Sequence, residues 1–172
     1  EAIVDIAQKI TSDMGSEIKS QHTVNTLDNA FYGVYHGQAA LPFKADTIKY
    51  LTGDIIDNCI VNYYDTGSAV KGDMYNMKKA HGKDPYEMFL SGSAPLVTIE
   101  NPLASSQKEL VMFRDSFASS LAPLMAEGYK KITLVDIRYI QSSFVGNFVD
   151  FENADVLFIY STALLNNSLA LR

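Results

Sequence analysis

Leu110-Val111-Met112-Phe113-Arg114-Asp115-Ser116-Phe117-Ala118-Ser119-Ser120-Leu121 changes its periodicity half-way along, and that change decides the fold. The first four residues are a short apolar run that reads as a buried strand, and the run stops at Arg114-Asp115-Ser116. From there apolar residues recur at helical spacing, with Phe117, Leu121, Leu124 and Met125 on one face. The spacing predicts a strand over 109–113 and a helix over 117–127 that Gly128 ends. The pattern then repeats. A strand is predicted over 132–137, a helix over 142–151 with Phe144, Val145, Phe148 and Val149 on one face, and a strand over 155–160. Three near-continuously apolar strands alternating with helices form a β-α-β-α-β run, which implies a parallel sheet covered on both faces. The fold class expected is α/β, with an open, mostly parallel sheet.

Upstream the signals are less regular. Residues 2–14 place Ile3, Ile6, Ala7, Ile10 and Met14 on one face of an amphipathic helix that Gly15 stops. Residues 16–30 are polar and read as irregular. Phe31-Tyr32-Gly33-Val34-Tyr35-His36-Gly37 is an aromatic cluster broken by glycines, the kind of segment that lies over a core or lines a cleft. Ile55 to Tyr64 reads as strand, Asp65-Thr66-Gly67-Ser68 as a turn, and a weaker strand follows, ending by Gly72-Asp73. The polar stretch from Met74 to Lys83 reads as mobile. Asp84-Pro85-Tyr86-Glu87 combines a cap, a proline at the first helical position and a glutamate three residues after the cap, which together start a short helix. Leu96-Val97-Thr98-Ile99 is a further strand, closed by Asn101-Pro102. Residues 31–95 are therefore expected to form an irregular insertion within a single domain spanning 1–172.

The chain of 172 residues is long enough to bury a core. Its net charge of −6 argues against nucleic acid, which demands a basic patch. No apolar run approaches the ~20 residues that span a bilayer. Cys59 has no partner for an internal disulfide and, flanked by Ile55, Ile56, Ile60 and Val61, reads as a packed thiol. The chain begins at Glu1 directly with a helix, as the remainder of a longer protein incomplete at its N-terminus would.

In open parallel sheets, ligands sit at the carboxyl ends of the strands. Arg114-Asp115-Ser116, Asp136 with Arg138-Tyr139, and Ser161-Thr162 fall there. Asp115 or Ser116 can cap the helix that follows. Ser116 is also a candidate nucleophile, because backbone donors at a helix start face a developing negative charge. Asp136 and Arg138 can pair with each other, or Arg138 can reach Asp115. A serine nucleophile needs a base, and the chain offers His22, His36 and His81, each in a loop-like segment without a carboxylate at dyad spacing. If Ser116 is catalytic, its base is expected outside this chain. No glycine-rich nucleotide loop and no Cys/His zinc spacing is present, so no cofactor is expected. Asp115 and Asp136 could hold a divalent cation or phosphate, as in a flavodoxin-like regulator, but lack a third ligand.

Several segments together resemble the bacterial DHHW family, related to SGNH-type hydrolases and to alginate-type polysaccharide O-acetyltransferases. They are Phe31-Tyr32-Gly33, the run from Asp84 to Val97, Arg114-Asp115-Ser116-Phe117-Ala118, Leu134-Val135-Asp136-Ile137-Arg138-Tyr139, and Asp155 to Thr162. The resemblance implies an open sheet of the SGNH/flavodoxin-like type, with Ser116 as nucleophile and Arg114, Asp115, Asp136, Arg138 and Ser93 supporting it or binding. It implies a serine esterase or O-acyltransferase acting on surface glycan through an acyl donor, at the bacterial cell surface or envelope. The name-giving Asp-His-His-Trp segment, expected upstream with the base, is absent from this sequence. Ser93-Ala94 stands before Pro95, where the family pattern has Asn-His. That departure motivates the alternative of a non-catalytic, carbohydrate-binding protein that keeps the fold.

Overall fold

The computed structural model describes residues 2–33, 42–167 and 169. Among the described residues, eight strands form two sheets. Strands β1 (Thr23–Phe31) and β2 (Asp46–Thr52) pair as an antiparallel ribbon. The other six are β3 (Ile60–Tyr63), β4 (Val70–Gly72), β5 (Leu96–Glu100), β6 (Glu109–Arg114), β7 (Lys131–Val135) and β8 (Ala154–Ile159). They lie in the order β4-β3-β5-β7-β6-β8.

The side chains of the central strands alternate between two covered faces, as a period of two requires. Val97, Ile99, Leu110, Met112, Ile132 and Leu134 enter the larger core, where helix α1 (Ala2–Asp13) and the segment 118–129 cover them. Leu96, Val111 and Val135 face the opposite way, onto Val145, Val149 and Ile137. A smaller core joins the β1–β2 ribbon to residues 75–89 through Leu27, Ile48, Ala80, Met88 and Phe89.

The sheet is mixed. Strand β6 is parallel to β7 and β8, but β5 runs antiparallel to β7, and β3 antiparallel to both β4 and β5. The expectation of a mostly parallel sheet holds for three strands. Residues 101–108 explain why it fails for β5: a parallel return takes a crossover of a dozen or more residues, and this link is shorter. Within 31–95, β3 and β4 fall inside the two strands expected there, whereas β2 and, in 16–30, β1 occupy stretches read as irregular. Residues 54–58 are helical where strand was expected, and Met77–Ala80 forms a helical turn in the segment read as mobile.

The helices are shorter than their periodicity implied. Residues 116–128 form two 3-10 turns around a short α-helix, Ala122–Met125, which carries Pro123 in its first turn. Phe117 points outward at 62% exposure instead of joining Leu121, Leu124 and Met125 in the core. The helix expected over 142–151 is confined to Ser142–Val145, with Phe144 exposed. In α1 the buried face is Ala7 and Thr11, flanked by Ile3, Val4, Ile10 and Met14, and Ile6 is exposed. Edge strand β8 is covered on one face alone: Val156 and Phe158 are exposed, and Phe158 stacks on Phe113 at 4.7 Å between ring centroids.

Cys59 packs against the larger core, and burial pushes its thiol up to about 11. The thiolate is the reactive form. Alkylation by iodoacetamide at pH 8.5 should therefore run at least tenfold slower in the native protein than in urea, and accelerate only as the pH nears 11. Equal native and unfolded rates, read by mass spectrometry, would contradict this packing.

Candidate functional site

Because β6, β7 and β8 run in one direction, their chain exits share one edge of the sheet. They deliver Asp115-Ser116, Asp136 to Arg138, and Ser161 there. The antiparallel β5 brings its beginning to the same edge, with Leu96 opposite Val135 and the Asp136 N–H donating to the Pro95 carbonyl at 3.0 Å. Ser93 arrives by that route. A cleft of about 680 Å3 opens at this edge, lined among others by Phe31, Tyr86, Ser93, Asp115, Ser116, Phe117, Arg138 and Ser161.

Asp115, not Ser116, is the cap. Its Oδ1 accepts the Phe117 N–H at 3.0 Å, and its Oδ2 accepts the Ser161 N–H at 2.8 Å. Ser116 is the first residue of the turn Ser116–Ser119, where a backbone N–H has no acceptor within the turn. Among the described residues nothing hydrogen-bonds its Oγ, and the half-buried side chain faces the cleft. Tyr86 fastens this turn from the opposite wall. Its hydroxyl lies 2.9 Å from Ser120 Oγ and donates toward the carbonyls of Ser116 at 3.3 Å and Phe117 at 3.4 Å. Burial raises the Tyr86 phenol, which keeps it protonated as a donor. The sequence marked Tyr86 only as an apolar residue of a short helix. The pairing of Asp84 Oδ1 with the Tyr86 N–H, which sets its direction, is the local signal that was available.

Arg114 and Asp136 lie beneath the cleft, not in its lining, and both are fully buried. Asp136 is engaged by Arg138, whose Nε donates to Oδ1 at 2.8 Å and Nη2 to Oδ2 at 2.6 Å. This bidentate pair selects one of the two pairings the sequence left open, and raises the already basic Arg138. Arg114 has no carboxylate of its own. Its Nη1 donates to Ser119 Oγ at 3.1 Å and toward the Asp115 carbonyl at 3.5 Å, while Nε and Nη2 have no partner among the described residues. Burial lowers its pKa, partly opposed by the nearby charge of Asp136.

The wall bearing Ser93 is strained. Leu90, Ser91 and Gly92 have φ of 50°, 55° and 81°, a left-handed run that only glycine adopts easily. The Ser91 carbonyl accepts from Lys79 Nζ at 2.7 Å, and its Oγ from Asn76 Nδ2 at 3.1 Å. A Cβ on Gly92 would stand 3.1 Å from Glu87 Cγ, so a larger residue needs the Glu87 side chain to give way as well as a left-handed backbone.

No described histidine lines the cleft. His81 pairs with Asn29 Oδ1 at 3.2 Å on the exposed surface, His22 borders a groove beside α1, and His36 lies outside the described residues. The cation or phosphate reading of Asp115 with Asp136 does not hold. Both Asp136 oxygens serve Arg138, both Asp115 oxygens serve backbone N–H groups, and no cluster of three or more ligands occurs among the described residues. No described helix is long and apolar enough to cross a membrane.

Solved structures share this architecture. Over 99% of its length the chain matches a DHHW family protein from Eubacterium siraeum DSM 15702, with a TM-score of 0.71 and 18% identity, covering 56% of that protein. Bacillus cereus PatB1 with a sulfonyl adduct matches 95% of this chain and 56% of its own, at a TM-score of 0.66 and 18% identity. A second structure of PatB1 matches 94% of this chain and 60% of its own, at 0.61 and 19%. The chain thus shares an α/β fold with a DHHW family protein and with PatB1, and it spans little more than half the length of these proteins. No family profile and no curated protein matches the sequence.

Asp115→Ala removes a helix cap and a charged acceptor from two N–H groups, and should destabilise the fold by about 2–4 kcal/mol. Denaturant melts test this. A loss below about 0.5 kcal/mol would mean that Asp115 does not hold the two strand exits together.

Proposed function

We propose that this chain is part of an SGNH-like serine esterase or O-acyltransferase acting on bacterial cell-surface polysaccharide, with Ser116 as its nucleophile. The observation that carries the reading is the position of Ser116 on the cleft, with its Oγ unengaged and its turn fastened by Asp115 on one side and Tyr86 on the other. The sulfonyl adduct of PatB1 supports it, since sulfonyl reagents are trapped by activated nucleophiles.

In this reading Ser116 Oγ attacks the acyl carbonyl while a histidine, supplied from outside the described residues, takes its proton. The oxyanion that forms faces the Ser116 N–H at the start of the turn. Collapse expels the donor's leaving group, which takes the proton back, and leaves an acyl ester on Ser116. A glycan hydroxyl, or water in an esterase, then attacks that ester and releases Ser116. Phe117, exposed beside the serine, with Tyr86 and Phe31, offers aromatic surface to the substrate.

A second reading is a non-catalytic carbohydrate-binding protein of the same fold. Two observations favour it: Ser93-Ala94 replaces the polar pair of the family pattern, and no described histidine reaches the cleft. One experiment separates the two. Full-length protein is treated with a fluorophosphonate, and the peptide bearing Ser116 is quantified by mass spectrometry. The enzyme reading expects labelling at Ser116 that falls at least 100-fold in Ser116→Ala. Equal labelling of both proteins would overturn it, and glycan binding unchanged by Ser116→Ala would favour the second reading.

A further inference from the structure

Fully buried cations are rare without a counter-charge, and an unsatisfied buried donor calls for an explanation. Arg114 is fully buried without an ion pair, and its Nε and Nη2 have no hydrogen-bond partner among the described residues. The carboxylates that act on it are occupied, Asp136 by Arg138 and Asp115 by two backbone N–H groups, so Arg114 is left with Ser119 Oγ and the Asp115 carbonyl. Those two contacts are at opposite ends of one structure. Asp115 caps the turn that carries Ser116, and Ser119 closes it. We propose that Arg114 is a positioning residue for Ser116: its guanidinium holds both ends of the turn from beneath, and its buried positive charge favours negative charge developing at the serine.

The geometry gives each half of this role a cause. A planar fork on a strand end is stiff, so a bond from Nη1 to Ser119 Oγ fixes the turn against β6. Tyr86 holds the same turn from the cleft side, through Ser120 Oγ and the Ser116 carbonyl. Ser116 thus sits between two clamps, one phenolic and one cationic. A charge buried where no water screens it acts over several ångströms, and although Asp136 and Asp115 offset part of it, neither carboxylate is bonded to its Nε and Nη2 edge, which has no partner among the described residues. Lowered basicity from burial does not discharge it at neutral pH, because a guanidinium starts far above that range.

The electrostatic half rests on the reading of Ser116 as a nucleophile, and the positioning half does not. The test therefore has two readouts on full-length protein: hydrogen exchange of the peptide 115–121, and the pH profile of fluorophosphonate labelling at Ser116. Arg114→Met should speed exchange in 115–121 at least tenfold, with the β1–β2 ribbon unchanged, slow labelling at least tenfold at pH 7, and move the profile to higher pH. Arg114→Lys, which keeps the charge and loses the fork, should speed exchange while keeping most of the labelling rate. Ser119→Ala, which leaves the charge untouched, should speed exchange and slow labelling about threefold. Should Arg114→Met fail to fold, the other two variants carry the same measurements. Wild-type exchange in 115–121 with a wild-type pH profile, in folded variants, would overturn the proposal. If no labelling occurs at Ser116 in the parent, the nucleophile reading fails by itself, and the exchange data still decide whether Arg114 positions the turn.

Discussion

The carboxylate of Asp115 is the constraint from which the site is built. It is buried and receives two backbone N–H groups, Phe117 from its own chain exit and Ser161 from the neighbouring one. The first bond ends β6 and turns the chain into the Ser116–Ser119 turn. The second fixes where β8 leaves the sheet, six paired residues from where its ladder with β6 begins. Withdraw the carboxylate and both part-buried N–H groups lose a charged acceptor at once, which leaves the two chain exits without their common tie. Ser116 is placed by this arrangement: it sits between the residue that accepts and the residue that donates.

The sheet around that point was legible where packing leaves a period in the sequence. Strands β5 to β8 are read within a residue or two, because β5, β6 and β7 meet a covered face on each side and the apolar residues of all four run nearly unbroken. The strands β1 and β2 were not legible, for the same reason reversed. In β1 only Leu27 is fully buried, so its sequence carries almost no alternation to read. Helix lengths were over-read where a periodic pattern continued past a local obstacle, Pro123 in one case and Gly146 in the other. The direction of β5 could have been read from the shortness of 101–108 alone.

The site divides in the same way. That Ser116, Arg138 and Ser161 share a cleft follows from parallel strands having parallel exits, and the order of strand and helix in the sequence is enough to say so. Ser93 belongs there because β5 is antiparallel. Tyr86 was missed because its hydroxyl meets the Ser116 turn across 30 residues of chain, a contact that no local pattern encodes. Arg114, expected to support the nucleophile or to bind, is sent by alternation along β6 to the side of Leu110 and Met112, into the core beneath the cleft.

That last placement shows where the molecule concentrates its unfavourable features. The left-handed residues Leu90 and Ser91 are strained, each at a cost of order 1–3 kcal/mol, and the unpaired guanidinium of Arg114 adds a buried charge. They lie behind or beneath one cleft, whose lining takes in the neighbouring Gly92, Ser93, Asp115 and Ser116. None would persist if its surroundings could relax, and here they cannot. Ser91 is held by Asn76 and Lys79, while Arg114 is enclosed between a fully buried sheet face and a turn that Asp115 and Tyr86 already hold. Since β6 is an inner strand, moving Arg114 to water would break ladders on both sides of it, to β7 and to β8. The ordinary core of the sheet thus maintains an arrangement at its edge that the edge residues would not adopt alone, and that arrangement is the surrounding in which Ser116 is set.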